Sequence, residues 1–89
     1  MHNFAAQRFE LLVDGQTAFC SYSNEGNQII FDHTYVPNAF RGKGVGAILV
    51  RAALDEVRRQ HWKVVPRCSF VAAFIGQNPE YADLVLVDR

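Results

Sequence analysis

The amino-acid sequence predicts an α/β (α+β) fold in which one long helix packs on a mainly antiparallel sheet. The first observation is a row of three β-rich segments, at residues 7–13, 17–23 and 28–36, separated by turn signals. Such a row is typical of an antiparallel meander. The second observation is an amphipathic segment at 45–61, and the third is a further apolar segment at 63–71. Because a helix separates the third strand from the fourth, we expect these two strands to run parallel.

Turn chemistry and periodicity give the predicted elements their boundaries and faces. The dipeptide Asp14-Gly15 is a strong signal for a tight hairpin, and residues 24–27 form a second turn. In the third strand, alternation predicts one shared face for four side chains: Ile29, Phe31, His33 and Tyr35. In the helix, helical spacing predicts a buried apolar stripe: Val45, Ile48, Leu49, Ala52, Ala53 and Val57.

The last third of the chain carries three boundary signals. Pro66 cannot donate a ladder hydrogen bond, so the fourth strand is an edge strand or loses its pairing there. Residues 72–75 are expected to form a helical turn that ends at Gly76, and Asn78-Pro79 is expected to start a short last helix. We expect one domain over residues 1–89, because a chain of 89 residues supplies a single small core.

Composition excludes several classes of function. Hydrophobic residues make up 49% of the chain, which predicts a folded core. The nine Lys and Arg residues are balanced by nine Asp and Glu residues, which argues against a nucleic-acid binder. No apolar run approaches the roughly 20 residues that span a bilayer, and the first residues lack the features of a signal peptide. Cys20 and Cys68 form neither a disulfide framework nor a metal site, so we expect a cytoplasmic protein without a metal.

The segment 41–46, Arg-Gly-Lys-Gly-Val-Gly, is the strongest functional signal. It lies between a strand and a helix, where the first helical N–H groups have no partner and the helix dipole is positive. Glycines let a phosphate approach those amides, and Arg41 and Lys43 add positive charge. The spacing fits neither a mononucleotide P-loop nor a dinucleotide fingerprint. The sequence therefore predicts a site for another phosphate-bearing cofactor.

The pattern Arg-x-x-Gly-x-Gly resembles the pyrophosphate-binding motif of the GNAT superfamily of acetyl-CoA-dependent N-acetyltransferases. Three further segments are similar to the minimal, single-domain GNAT-like subfamily: His33-Thr34-x-Val36-Pro37, residues 64–71 (Val-Val-Pro-Arg-Cys-Ser-Phe-Val) and residues 78–85 (Asn-Pro-Glu-Tyr-Ala-Asp-Leu-Val). The resemblance covers residues 8–86 and implies a truncated GNAT-like fold, with acetyl-CoA or coenzyme A as cofactor. The residues it assigns to that cofactor are Val36, Arg41, Gly42, Lys43, Gly44, Val45 and Gly46.

The resemblance also implies partners and a reaction. The partners are a CoA thioester and an amine acceptor, rather than nucleic acid or a membrane. Typical GNAT domains have helices between their first two strands and strands after the fourth, and this chain lacks them. The acceptor site is therefore either shallow or completed by a second subunit, as in a homodimer.

Two residues are candidates for catalysis. His33 is either a packed core histidine or the general base that deprotonates the amine. Cys68, which the subfamily retains, is either an inert strand thiol or a nucleophile that takes the acetyl group first. Without a visible activator for Cys68, direct attack of the amine is favoured, with strand-four amides stabilising the oxyanion. Tyr81 is interpreted as a packing residue, although GNATs often use a tyrosine as acid. The alternative to an enzyme is a non-catalytic CoA-binding or protein-interaction module.

Overall fold

Antiparallel pairing joins the first four strands of the sheet, and parallel pairing joins the fourth to the fifth. The computed structural model describes residues 2–86. The sheet has the order β1-β2-β3-β4-β5, and its strands are β1 (His2–Asn3), β2 (Arg8–Val13), β3 (Gln16–Glu25), β4 (Gln28–Tyr35) and β5 (Lys63–Pro66). These pairings confirm the predicted α/β class and the predicted antiparallel meander. They also confirm the predicted parallel fourth strand, which is β5 in the structure. The short strand β1 was not predicted.

Two α-helices and two 3₁₀ turns complete the described chain. The helices are α1 (Val45–Arg59) and α2 (Ser69–Gln77), and the 3₁₀ turns are Asn38–Phe40 and Pro79–Leu84. The last element begins after Asn78 as predicted, but it is 3₁₀ rather than α-helical. After it, the Leu86 N–H donates to the Val64 carbonyl at 2.9 Å. Within residues 2–86, no helix is both long and apolar enough to cross a membrane.

The core lies between α1 and one face of the sheet. The helix contributes Val50, Ala53, Leu54 and Val57, which are all fully buried. They belong to the same cluster as Ala18, Cys20, Ile29, Phe31 and Val64 from the strands. The predicted stripe is wrong at Ile48 and Ala52, which are exposed, and it omitted Val50 and Leu54. The buried face of α1 is thus rotated by part of a turn from the predicted one.

A β-bulge changes the face that the end of β4 presents. Tyr22 pairs with Phe31, whereas Ser21 pairs with His33, so Asp32 is an extra residue in β4. Beyond the bulge, Thr34 pairs with the buried Cys20 on the helix-covered face. His33 lies on the opposite face with Tyr35. The predicted shared face of Ile29, Phe31, His33 and Tyr35 is therefore wrong in its second half.

The strand that carries Pro66 is shorter than predicted. It ends at Pro66, and α2 begins at Ser69, so the predicted strand over 63–71 is wrong after Pro66. Cys68 is the N-cap of α2, with its N–H donating to the Phe31 carbonyl at 2.9 Å. The predicted helical turn at 72–75 is the middle of this longer helix. Cys68 consequently lies at a helix N-terminus and not within a strand.

Candidate functional site

A groove of about 520 Å³ lies between the end of β4, the loop before α1 and the start of α2. Every residue predicted to bind the cofactor lines it except Lys43, which belongs to the same loop but is not part of the wall. The structure thus brings the candidate cofactor residues together around one space. The lining residues are Thr34, Val36, Phe40, Arg41, Gly42, Gly44, Val45, Gly46, Ala47 and Phe70.

Two glycines give the loop a backbone that other residues rarely adopt. Gly42 has φ +79° and Gly44 has φ +80°, both in the left-handed region. No atom lies within 4 Å of where a Cβ would stand on either residue, so conformation and not space requires glycine there. The backbone at both positions is open to a ligand in the groove.

The N-terminus of α1 faces this groove. The first hydrogen bond of the helix runs from the Ile48 N–H to the Gly44 carbonyl, at 3.0 Å. The N–H groups of the three residues before Ile48 therefore have no acceptor within the helix. Gly44 offers no side-chain cap, and the first turn contains no acidic residue. The positive end of the helix dipole is left for an anion.

Arg41 is held beside this helix end by Val36, the residue that follows β4. Its Nε–H donates to the Val36 carbonyl at 3.0 Å. A guanidinium has five N–H donors, so this bond leaves its terminal nitrogens for a further acceptor. Among residues 2–86, Arg41 forms no ion pair with a carboxylate. Its charge is available at the groove.

Phe70 forms the wall of the groove opposite the loop. It lies in the first turn of α2, and 43% of its surface is exposed. A Cβ on Gly46 would come within 2.7 Å of its Cζ atom. Gly46 therefore lets the Phe70 ring lie directly against α1, a reason for glycine distinct from that at Gly42 and Gly44.

Thr34, which lines the groove, brings its hydroxyl into contact with two thiols that are not part of the groove wall. Thr34 Oγ1 donates to Cys20 Sγ at 3.5 Å and lies 3.4 Å from Cys68 Sγ. Cys20 is completely buried, and burial raises the pKa of its thiol to about 11. Cys68 has 8% of its surface exposed. Of the two, Cys68 is the thiol that adjoins the start of α2.

The structure does not bring His33 into this group. His33 is exposed on the other face of the sheet, where its ring centroid lies 6.1 Å from that of Phe19. Tyr81 is also elsewhere: its hydroxyl donates to Asp55 at 2.7 Å and accepts a hydrogen bond from Arg51 at 3.2 Å. Both partners belong to α1. Tyr81 thereby joins the C-terminal 3₁₀ turn to α1.

Four residues that line the groove had no role predicted from the sequence: Thr34, Phe40, Ala47 and Phe70. Thr34 belongs to the quoted His-Thr-x-Val-Pro motif, but alternation put it on the wrong face. Phe70 was assigned to a strand, where it would not meet Gly46. The His-Thr-x-Val-Pro motif is the sequence signal that could have identified Thr34. The apolar run after Cys68 is the signal that could have identified Phe70.

A mixed sheet, a glycine loop and a helix N-terminus at one groove are the features expected of the GNAT class of fold. The family model described as GCN5-related N-acetyl-transferase matches residues 8–84, and the chain belongs to this family.

Among curated proteins, the chain is similar to Protein NATD1. The mouse protein (Mus musculus) is 31% identical over 81 residues, which are 88% of this chain and 74% of the relative. The human protein (Homo sapiens) is also 31% identical, over 88% of this chain and 72% of the relative. Among solved structures, the solution NMR structure of a GCN5-like protein from Staphylococcus aureus superposes with a TM-score of 0.73. It is 28% identical and covers 93% of this chain and 84% of its own.

Proposed function

We propose that the protein binds acetyl-CoA in this groove and transfers the acetyl group to an amine. The observation that carries the proposal is the left-handed loop at Gly42 and Gly44, which leads directly into the uncapped N-terminus of α1. Backbone amides at such a place bind phosphate groups. Membership of the N-acetyl-transferase family supports the same ligand.

Each part of the groove has a role in this proposal. The amides of the first turn of α1 and the Arg41 guanidinium hold the pyrophosphate of the cofactor. The backbone at Val36, beside the end of β4, holds the pantetheine arm as an added strand would be held. Phe70 and Ala47 line the apolar wall between these two regions. When bound, acetyl-CoA supplies an acetyl group that its thioester activates toward an amine.

The amides that stabilise developing negative charge belong to α2 rather than to a strand. The Cys68 N–H is already bonded to the Phe31 carbonyl, and the Arg67 N–H to the Val65 carbonyl. The first hydrogen bond within α2 runs from the Ala72 N–H to the Cys68 carbonyl, at 3.0 Å. The N–H groups of residues 69–71 therefore have no acceptor within the helix and are the proposed oxyanion donors. Because His33 lies on the other face of the sheet, water is the proposed acceptor of the amine proton.

Calorimetric titration with CoA, using two matched glutamate variants, tests the binding site. Gly44→Glu places a carboxylate at the anion site, whereas Gly15→Glu introduces the same residue at a hairpin with the same left-handed backbone, φ +79°. Both changes carry the same backbone strain, of about 1–2 kcal/mol. We expect CoA to bind the parent protein and the Gly15→Glu variant. We expect no binding of CoA by the Gly44→Glu variant. Equal binding by both variants would refute the assignment of the site to this loop.

Turnover separates an enzyme from a binding module. The release of CoA from acetyl-CoA is followed with a panel of primary amines, from polyamines to lysine peptides, beside a buffer control. Transfer is supported if an amine increases the release of CoA by the parent protein and does not increase it for Gly44→Glu. CoA binding without amine-dependent release would instead favour the non-catalytic module.

A further inference from the structure

We propose that Thr34 is the positioning residue for Cys68 and supplies the hydrogen bond that makes its sulfur reactive. The inference rests on the proposed function, because it gives Thr34 a part in acyl transfer beside the groove. Thr34 Oγ1 lies 3.4 Å from Cys68 Sγ, and Thr34 also lines the groove.

The β-bulge is the feature that creates this contact. If β4 alternated regularly through Asp32, with no bulge, His33 would lie on the helix-covered face and Thr34 on the outer face. With the bulge, Thr34 is next to Cys20 in the pairing of β3 and β4 and reaches Cys68 from there. Bulges commonly re-aim a side chain beside a site in this way.

Thr34 Oγ1 donates to Cys20 Sγ in the structure, and rotation of its hydroxyl gives a second arrangement of the three side chains. A hydroxyl has one proton to donate and two lone pairs that accept. In the first arrangement Thr34 donates to Cys20 and accepts from the Cys68 thiol. In the second, Cys20 donates its S–H to Thr34, and Thr34 donates to Cys68. Because Cys20 is fully buried and retains its proton, it can act as the donor in the second arrangement.

The second arrangement is the one that prepares Cys68 for reaction. It gives the sulfur of Cys68 a donor at the moment when negative charge develops there, while the Cys20 S–H donates to the Thr34 hydroxyl. The unbonded amides at the start of α2 belong to the residues that directly follow Cys68 in the chain. Thr34 therefore acts through Cys68 and does not itself form a bond to substrate.

Alkylation of Cys68 by iodoacetamide tests the proposal without any cofactor. In this reaction Cys68 Sγ forms a bond to the methylene carbon, iodide leaves, and the thiol proton passes to solvent. Thr34→Val keeps the shape of the side chain and removes the hydroxyl, whereas Thr34→Ser keeps the hydroxyl. We expect Thr34→Val to slow alkylation about tenfold, as the loss of a charge-assisted hydrogen bond implies. Thr34→Ser should react within about twofold of the parent protein.

Peptide mass mapping assigns the adduct to Cys68 and not to Cys20, and thermal melting confirms that each variant is folded. Thr34→Ala serves as the hydroxyl-free variant if Thr34→Val does not fold. Cys20→Ala removes the competing acceptor, so its Cys68 should react at least as fast as that of the parent. Alkylation of Thr34→Val at the parent rate, or of Thr34→Ser at the rate of Thr34→Val, would overturn the proposal. A failure of CoA to bind the parent protein would refute the proposed function and leave this comparison of rates intact.

Discussion

The ring of Phe70 lies so close to Gly46 that a Cβ there would stand 2.7 Å from the Cζ atom of the ring. Gly46→Ala must therefore displace the ring. Because the ring is partly exposed, and because alanine favours a helix over glycine by about 1 kcal/mol, we expect no loss of melting temperature. The displaced ring narrows the groove, so we expect CoA affinity to fall at least fivefold, as measured by calorimetry. Gly76→Ala, at a helical glycine with open space around it, should bind CoA normally. A normal affinity for Gly46→Ala would show that the Phe70 wall does not touch the ligand.

Removal of the loop charges should weaken CoA binding selectively. Arg41→Ala should cost about 1–3 kcal/mol of binding free energy, the worth of a charge-assisted contact to phosphate. Lys43→Ala should cost less, because Lys43 does not line the groove. Arg59→Ala, at the far end of α1, is the control and should leave binding unchanged. Calorimetric titration measures all three variants. If Arg59→Ala weakened binding as much as Arg41→Ala, the effect would be one of net charge and not of the site.

The glycine loop and the helix after it could be predicted because their requirements are local. A phosphate loop needs glycines at fixed spacing, a strand before them and a helix after them, and all three are visible within residues 28–61. The hairpin at Asp14-Gly15 is equally local: φ is +47° at Asp14 and +79° at Gly15. Such features depend on the backbone preferences of a few neighbouring residues.

The surroundings of Thr34 could not be predicted, because they depend on pairing between distant segments. The bulge at Asp32 arises where β3 meets β4, and nothing in the alternation of β4 alone reveals it. The run at 69–75 is short and apolar, so its periodicity fits a buried strand as well as a helix. Both errors concern the same region, and together they hid the contact between Thr34 and Cys68.

The hydroxyl of Tyr81 should matter for stability and not for turnover. Tyr81 is 4% exposed, and burial is the main cause of its raised pKa. Tyr81→Phe removes the hydrogen bonds to Asp55 and Arg51, at a cost of about 1 kcal/mol. For a domain of this size we expect the melting temperature to fall by about 4–8 °C. Tyr35→Phe, at an exposed position, should melt as the parent does. A loss of turnover without a loss of stability would instead identify Tyr81 as an acid catalyst.

His2 should make the stability of the fold depend on pH. Burial lowers its pKa below the ordinary value of 6.5. Its Nε2 lies 2.6 Å from the Tyr22 hydroxyl, and its ring stacks on Phe9 at 4.1 Å. Below pH 6.5 the unfolded chain therefore binds a proton that the folded chain does not. The stabilisation is complete above pH 6.5 and is lost as the pH falls toward the lowered folded pKa.

Melting temperatures of the parent and of His2→Gln, measured across this range of pH, check the contribution of His2. The glutamine of the variant does not titrate in this range of pH. The melting temperature of the variant should therefore fall less steeply on acidification than that of the parent. Parallel curves for the two proteins would contradict the prediction and assign the pH dependence to other groups.

Cys68 decides between two routes of acetyl transfer. The sequence favoured direct attack because no activator of the thiol was visible. The structure places Cys68 at the N-cap of α2 and within hydrogen-bond distance of Thr34, so we now expect the route through the thiol. In that route Cys68 Sγ bonds to the acetyl carbon, CoA leaves as the thiol with the proton of Cys68, and the amine then displaces the sulfur. Cys68→Ser should lose at least about a hundredfold in turnover, since a hydroxyl without a base is a poor nucleophile.

Intact mass spectrometry after mixing with acetyl-CoA provides the second measurement for the route through Cys68. One added acetyl group should form on the parent protein and on Cys20→Ala, and it should be absent from Cys68→Ala. Addition of an amine should remove the acetyl group from Cys68 at least as fast as turnover, because an intermediate must break down at least as fast as the overall reaction. If Cys68→Ser kept near-parent turnover and no acetylated protein was seen, the amine would attack the thioester directly. The thiol would then form no covalent bond in the reaction.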